Sequence, residues 1–139
     1  MKVLFDSSAL FKRYAGEAGA QQVLDLHTRA SSIVLAAHCL TELMSALTRQ
    51  WREGAFGDDE FARVRSRMRE DFNAYRIEPL NRTVEDLAIA AMALSPMRAM
   101  DALHIGSAQA ARVHLFVTAD RRQAAAAQAA GLRTECVEA

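Results

Sequence analysis

Lys2-Val3-Leu4-Phe5-Asp6-Ser7-Ser8-Ala9-Leu10 is the stretch that decides the fold. Its first half, 2–6, is an apolar run that reads as a strand. The helical pattern starts at once, from residue 8 to 14, before Gly16 breaks it. A buried strand that feeds straight into a helix is the opening of a βαβ unit. Asp6 sits at the junction, where strand ends and helix starts of an α/β protein face a common crevice.

The alternation continues along the chain. Residues 18–29 read as a helix with Val23, Leu24 and Leu26 on its apolar side, and Ile33-Val34-Leu35 as a short strand. Leu40, Leu43, Met44, Leu47 and Trp51 fall at helical spacing. Gly54 and Gly57 mark the turn after them. Asp58 or Asp59 is the expected cap of the next helix, with Phe61, Val64, Met68 and Phe72 as its stripe. These two helices read as an antiparallel hairpin. Residues 76–80 form a weak strand, weakened by Pro79. A helix starts at Thr83, Pro96 closes it, and another spans 100–112. A strand at 115–118, a helix at 120–130 stopped by Gly131, and a last strand at 133–137 complete the pattern. Strands alternating with helices predict a three-layer α/β/α sandwich around a parallel sheet.

The 139 residues suit one domain, 1–139. A chain of this length buries roughly 70% of its unfolded surface, enough for a core. No apolar stretch approaches the roughly 20 residues that span a bilayer. No basic region leading into an apolar segment and a cleavage site opens the chain, so the cytoplasm is the expected compartment. Cys39 and Cys136 are expected to be buried thiols rather than a disulfide. His27, His38, His104 and His114 show no zinc-ligand spacing. Acidic and basic residues balance, 17 against 17, which argues against broad, non-specific duplex binding.

Four acids sit at element boundaries. Asp6 and Asp120 each follow an apolar run, and Glu42 and Asp101 each open an apolar-periodic helix. Taken singly, each is an ordinary helix cap or first-turn acid. Gathered at one crevice, they would repel one another unless divalent cations held them.

The residues around them are specific. Asp6-Ser7-Ser8-Ala9-Leu10, Thr41-Glu42-Leu43, Met100-Asp101-Ala102-Leu103-His104-Ile105 and Phe116-Val117-Thr118-Ala119-Asp120-Arg121-Arg122 occur in that order. The set closely resembles the PIN-domain ribonucleases, in particular VapC-type toxins of toxin–antitoxin pairs, over nearly the whole chain. The resemblance implies a five-stranded parallel sheet between helices. It implies a metal-dependent endoribonuclease with Asp6, Glu42, Asp101 and Asp120 as catalytic and metal-binding acids, the last at a variable position. It places Ser7 and Thr118 as supporting hydroxyls. It also implies Mg2+ or Mn2+, an RNA substrate, a small VapB-type antitoxin whose tail covers the crevice, and a homodimer.

Other side chains read as follows. His104 is expected to be structural or to support the site. Arg63, Arg65, Arg67 and Arg69 are interleaved with acids and read as a solvated helix face, whereas Arg121 and Arg122 are better phosphate contacts. The Met and Phe stripes of the hairpin read as core or dimer surface. Three rival readings are weaker. A haloacid-dehalogenase-type phosphatase needs a second Asp where Ser8 stands, and a receiver domain needs a late lysine, whereas Lys12 is the last one here. A catalytically silent PIN-like binding or scaffold module would have no evident reason to keep four acids.

Overall fold

The computed structural model describes residues 1–137. Five strands, β1 (Lys2–Phe5), β2 (Ser32–Ala36), β3 (Arg76–Glu78), β4 (Leu115–Thr118) and β5 (Thr134–Cys136), form one sheet in the order β3-β2-β1-β4-β5. Every pairing is parallel. The helices are α1 (Ser7–Ala15), α2 (Ala20–Arg29), α3 (Cys39–Arg52), α4 (Asp58–Phe72), α5 (Arg82–Leu94), α6 (Ala99–Ala110) and α7 (Arg121–Ala129).

Strand alternation sorts the helices into two layers. Val3, Phe5, Leu35, Leu115 and Val117 point into one core with side chains of α1 to α4, among them Leu10, Leu26, Leu43 and Met68. Leu4, Val34 and Phe116 point into the other with α5, α6 and α7, through Ala91, Ile105, Ala108, Ala126 and Ala127. The three-layer sandwich expected from the pattern is therefore the fold observed. The chain lays down β1, β2 and β3 to one side, then crosses to β4 and β5 on the other. The direction of winding reverses between β1 and β4, and a crevice opens there at the carboxyl ends of the strands.

Local chemistry sets the element ends. Asp6 leaves the strand and caps α1, its Oδ1 accepting from the Ala9 N–H at 3.0 Å. Asn81 caps α5 through Val84, so that helix starts at Arg82, one residue before the predicted Thr83. β3 stops at Glu78, directly before Pro79, on the edge of the sheet. The expected Asp58 or Asp59 cap is corrected: Gly57 is the N-cap, with both acids inside the first turn. The Asp58 carboxylate instead accepts from the Trp51 indole N–H at 2.9 Å, where Trp51 stacks on Phe61. The hairpin stripe is core, with Phe61, Val64 and Met68 all buried. Exposed large apolar side chains lie elsewhere, on α5 at Ile89 and Leu94 and on α6 at Met100.

One glycine brings α6, which carries Asp101 and His104, close against α5. A Cβ on Gly106 would lie 2.5 Å from the Val84 carbonyl oxygen and 2.9 Å from the Ala88 nitrogen, both backbone atoms that cannot swing aside. Gly106→Ala is expected to force the helices apart and cost about 1–3 kcal/mol. Thermal melting checks this, and an unchanged melting temperature would contradict the close packing.

Candidate active site

All four predicted acids line one open crevice of about 470 Å3, together with Ser7, Ser8, Arg49, Arg98 and His104. Asp6 ends β1 and Asp120 follows β4, so the two flank the point where the winding reverses. Glu42 and Asp101 stand in the first turns of α3 and α6, where the helix dipole favours a negative charge. A second hollow of about 760 Å3 shares Arg98, Asp101 and Asp120 and adds Arg122 and Gln123. The two together make a trough across the carboxyl edge of the sheet.

Asp6 is only 4% exposed. Its Oδ1 accepts from the Ser8 hydroxyl at 2.7 Å as well as from Ala9. Burial pushes its carboxyl above the ordinary range, and the positive field of His104 and the hydrogen bonds of Thr118, Ser8 and Ala9 offset this only in part. Among the described residues no lysine or arginine forms an ion pair with it. Ser8 also accepts from the Ala119 N–H at 2.9 Å and lies 3.3 Å from Thr118 Oγ1, tying α1 to the end of β4. Ser8 is thus a hydroxyl that holds Asp6 beside Thr118, a role the sequence reading did not give it. The signal was present in the two-residue spacing, which suits a local side-chain bond at a helix start.

Of the two predicted hydroxyls, Ser7 serves a different acid and Thr118 serves Asp120 as well as Asp6. Ser7 donates to Glu42 Oε1 at 2.7 Å, and Thr118 Oγ1 accepts from the Asp120 N–H at 3.1 Å. Asp120 caps α7, accepting from the Arg122 N–H at 2.9 Å. Buried Gln123 donates to the Asp101 carbonyl at 2.8 Å and so braces the start of α6. Arg98 lies 3.7 Å from the Asp101 carboxylate. Arg49 and Arg98 were not singled out in the sequence, because helical periodicity does not say which residues face a crevice. Arg122 lines the trough, while Arg63, Arg65, Arg67 and Arg69 are exposed on α4 and away from it.

The histidines are the main correction. His38 and His104, far apart in the chain and without zinc-type spacing, converge on Glu42. His104 Nε2 lies 2.6 Å and His38 Nε2 3.4 Å from Glu42 Oε1, and the two rings are 4.3 Å apart. Burial raises the Glu42 carboxyl, but His104, Ser7 and His38 together outweigh it and hold the group below its ordinary value. Burial, then the neighbouring His104, lowers His38. His104 is 2% exposed, held between Glu42 and the core.

Ser7 Oγ lies 3.3 Å from the same His104 Nε2 that meets Glu42. An acid–base relay to a nucleophilic serine uses the two different ring nitrogens. Here His104 Nδ1 has no partner, so Ser7, His104 and Glu42 do not form such a relay. Cys39, 3.4 Å from Ser7, is no better a nucleophile, since burial pushes its thiol up to about 12. Both cysteines are free thiols, as expected, but only Cys39 is buried, while Cys136 is half-buried.

A family model, the PIN domain, matches residues 3–129. The chain belongs to the PIN-domain family. No curated protein sequence matches it. Solved PIN-like structures share the fold at low identity. One is a toxin-antitoxin complex from Klebsiella pneumoniae, with 16% identity, 87% of this chain and 88% of that chain covered, and a TM-score of 0.67. A second is VapC20 from Mycobacterium tuberculosis, described as a toxin that cleaves the sarcin-ricin loop, with 17% identity, coverage of 89% and 94%, and a TM-score of 0.68. A third is VapBC2 from Rickettsia felis bound to a promoter DNA fragment, with 12% identity, coverage of 98% on both sides, and a TM-score of 0.70. No described helix of this PIN domain is long and apolar enough to cross a membrane.

The raised Asp6 carboxyl has a definite linkage sign. Folding favours its protonated form, so its contribution to stability is present at acid pH and lost as pH rises through the raised value. Asparagine caps a helix as well as aspartate does but carries no charge. Without divalent cations, Asp6→Asn is therefore expected to melt higher than the native chain at neutral pH, by about 4 °C for each kcal/mol recovered. The gap should close as pH falls. Melting curves at several pH values in chelator check this, and a less stable variant at neutral pH would contradict it.

Proposed function

We propose that this PIN domain, read as a single domain over 1–139, is a metal-dependent endoribonuclease and the toxin of a toxin–antitoxin pair. The observation that carries the reading is Asp6. It is a carboxylate buried at the carboxyl end of the middle strand, with no lysine or arginine paired to it among the described residues, in a crevice that four further acids line, Glu17 beside the three predicted ones. Carboxylate and hydroxyl oxygens open to water are the donor set that Mg2+ and Mn2+ prefer, so the residues fit the ion.

In this reading Asp6 and Asp101 hold the cation, Asp120 completes the acidic rim, and Glu42 orients the attacking water. A bound ion acidifies water and offsets the negative charge that builds on the phosphate. Ser8 and Thr118 keep Asp6 and Asp120 in place, Ser7 and His104 keep Glu42 in place, and Gln123 braces the helix that carries Asp101. Arg49, Arg98 and Arg122 stand along the trough, where guanidinium groups can take successive phosphates of a single strand. Attack by water on the phosphorus, with the 3′ oxygen leaving, produces a 5′-phosphate and a 3′-hydroxyl.

The partner in this account is a small VapB-type antitoxin whose tail places a basic side chain among the carboxylates. The relatives of similar fold include toxin-antitoxin complexes, which supports that reading. A homodimer would use the exposed apolar side chains of α5 and Met100 on α6 better than the α3–α4 hairpin, whose stripe is spent on the core. The expected site of action is the cytoplasm.

Cleavage of end-labelled RNA by the purified, antitoxin-free chain tests the proposal. Mg2+ or Mn2+ is expected to be required, and Asp6→Asn and Asp101→Asn are expected to lower the rate roughly 100-fold or more. Variants that cut as fast as the native chain would overturn the site assignment. If neither ion supports cleavage and expression leaves growth unaffected, the chain is instead a silent binding module.

A further inference from the structure

We infer that His38, Glu42 and His104 form a second cation site, one for a borderline ion such as Zn2+, beside the all-oxygen acids. Among the described residues these are the only three ligand-type side chains whose donor atoms all lie within 4.8 Å of one another. Two imidazoles and one carboxylate make a three-ligand set for zinc that leaves a fourth position for water or substrate. Imidazole nitrogen favours Zn2+, Ni2+ or Co2+ over Mg2+, so this site and the oxygen-only acids select different ions.

Two of the three separations are close to what an ion needs, and the histidine nitrogens lie within 4.8 Å of each other. A tetrahedral ion with bonds of about 2.0–2.1 Å keeps its ligands about 3.3–3.4 Å apart. His38 Nε2 and Glu42 Oε1 already stand at 3.4 Å. His104 Nε2 and Glu42 Oε1 stand at 2.6 Å, a separation suited to a shared proton, and must open by less than an ångström when an ion replaces that proton. His38 Nε2 now donates to the Met100 carbonyl at 3.0 Å and would meet an ion only with its ring proton moved to Nδ1. Glu42 and His104 both line the crevice, which provides the entry path and the fourth ligand.

His104 Nδ1 is buried without a hydrogen-bond partner. Metal-bound histidines ordinarily donate that second N–H, and the loss of such support costs about 10–100-fold in affinity. The site is accordingly weaker than a structural zinc centre. An ion held there engages Glu42, so for the nuclease proposed above zinc would withdraw the residue that orients water.

Cobalt(II) titration of the chelator-treated full chain tests the site without relying on RNA cleavage. The expected result is the intense visible absorption of a tetrahedral cobalt centre, abolished by stoichiometric Zn2+ but not by a large excess of Mg2+. His38→Ala, at a half-buried position, should weaken cobalt binding roughly 100-fold or more, and circular dichroism would confirm that it stays folded. His104→Asn is the second variant. Asp6→Asn should keep the cobalt spectrum. No tetrahedral spectrum, full binding by folded His38→Ala, or loss of binding in Asp6→Asn alone would each overturn the proposal. The last result would assign cobalt to the oxygen-only acids and leave the nuclease reading standing.

Discussion

A carboxylate buried at the end of the middle strand is the constraint on which the rest of the structure depends. Asp6 lies where β1 stops, between a strand partner on each side, with α1 starting on it. The main chain there is locked, since the Asp6 N–H donates to the Val117 carbonyl at 2.9 Å and continues the β1–β4 ladder. Removing a carboxylate from water costs several kcal/mol unless hydrogen bonds or an opposite charge compensate. Ser8 and the Ala9 N–H supply part of that compensation, and a cation in the crevice would supply the rest. The folded chain therefore holds an electrostatic deficit at the point where a ligand can reach it.

Two kinds of donor meet around that deficit. Asp6, Asp101 and Asp120 offer hard oxygens, whereas Glu42 is drawn to the two histidines. Glu42 is the hinge between the two sets, held by Ser7 on α1 and His104 on α6. The close α5–α6 approach at Gly106 helps fix where His104 stands, three residues after Asp101 on the same helix. Packing far from the crevice thus has a direct path to the acids.

Much of the fold was legible because its signals are local. Val3-Leu4-Phe5 and Leu115-Phe116-Val117 read as strands buried on both faces, and they occupy the middle of the sheet. Gly131 and Pro79 stop elements by backbone chemistry that needs no tertiary context. Strand order was not legible, since each crossover can go to either side of β1 and the choice is made by packing. The cap of α4 misled because Asp58 has a better partner in Trp51, a choice between two local bonds that composition does not settle. The gathering of the four acids at one crevice was legible from their element boundaries. The pairing of His38 with His104 was not, because α3 and α6 meet only through the third dimension. Ser7 and Ser8 looked alike in sequence, yet they face different acids on successive positions of the first turn.

The most direct measurement is Mn2+ binding to the metal-free chain, followed by the loss of the free-ion paramagnetic resonance signal. The account predicts saturable binding by the native protein and by His38→Ala, and binding weakened about 10–100-fold or more in Asp6→Asn. A native chain that leaves the Mn2+ signal unchanged, or an Asp6→Asn chain that binds as tightly as the native one, would contradict it.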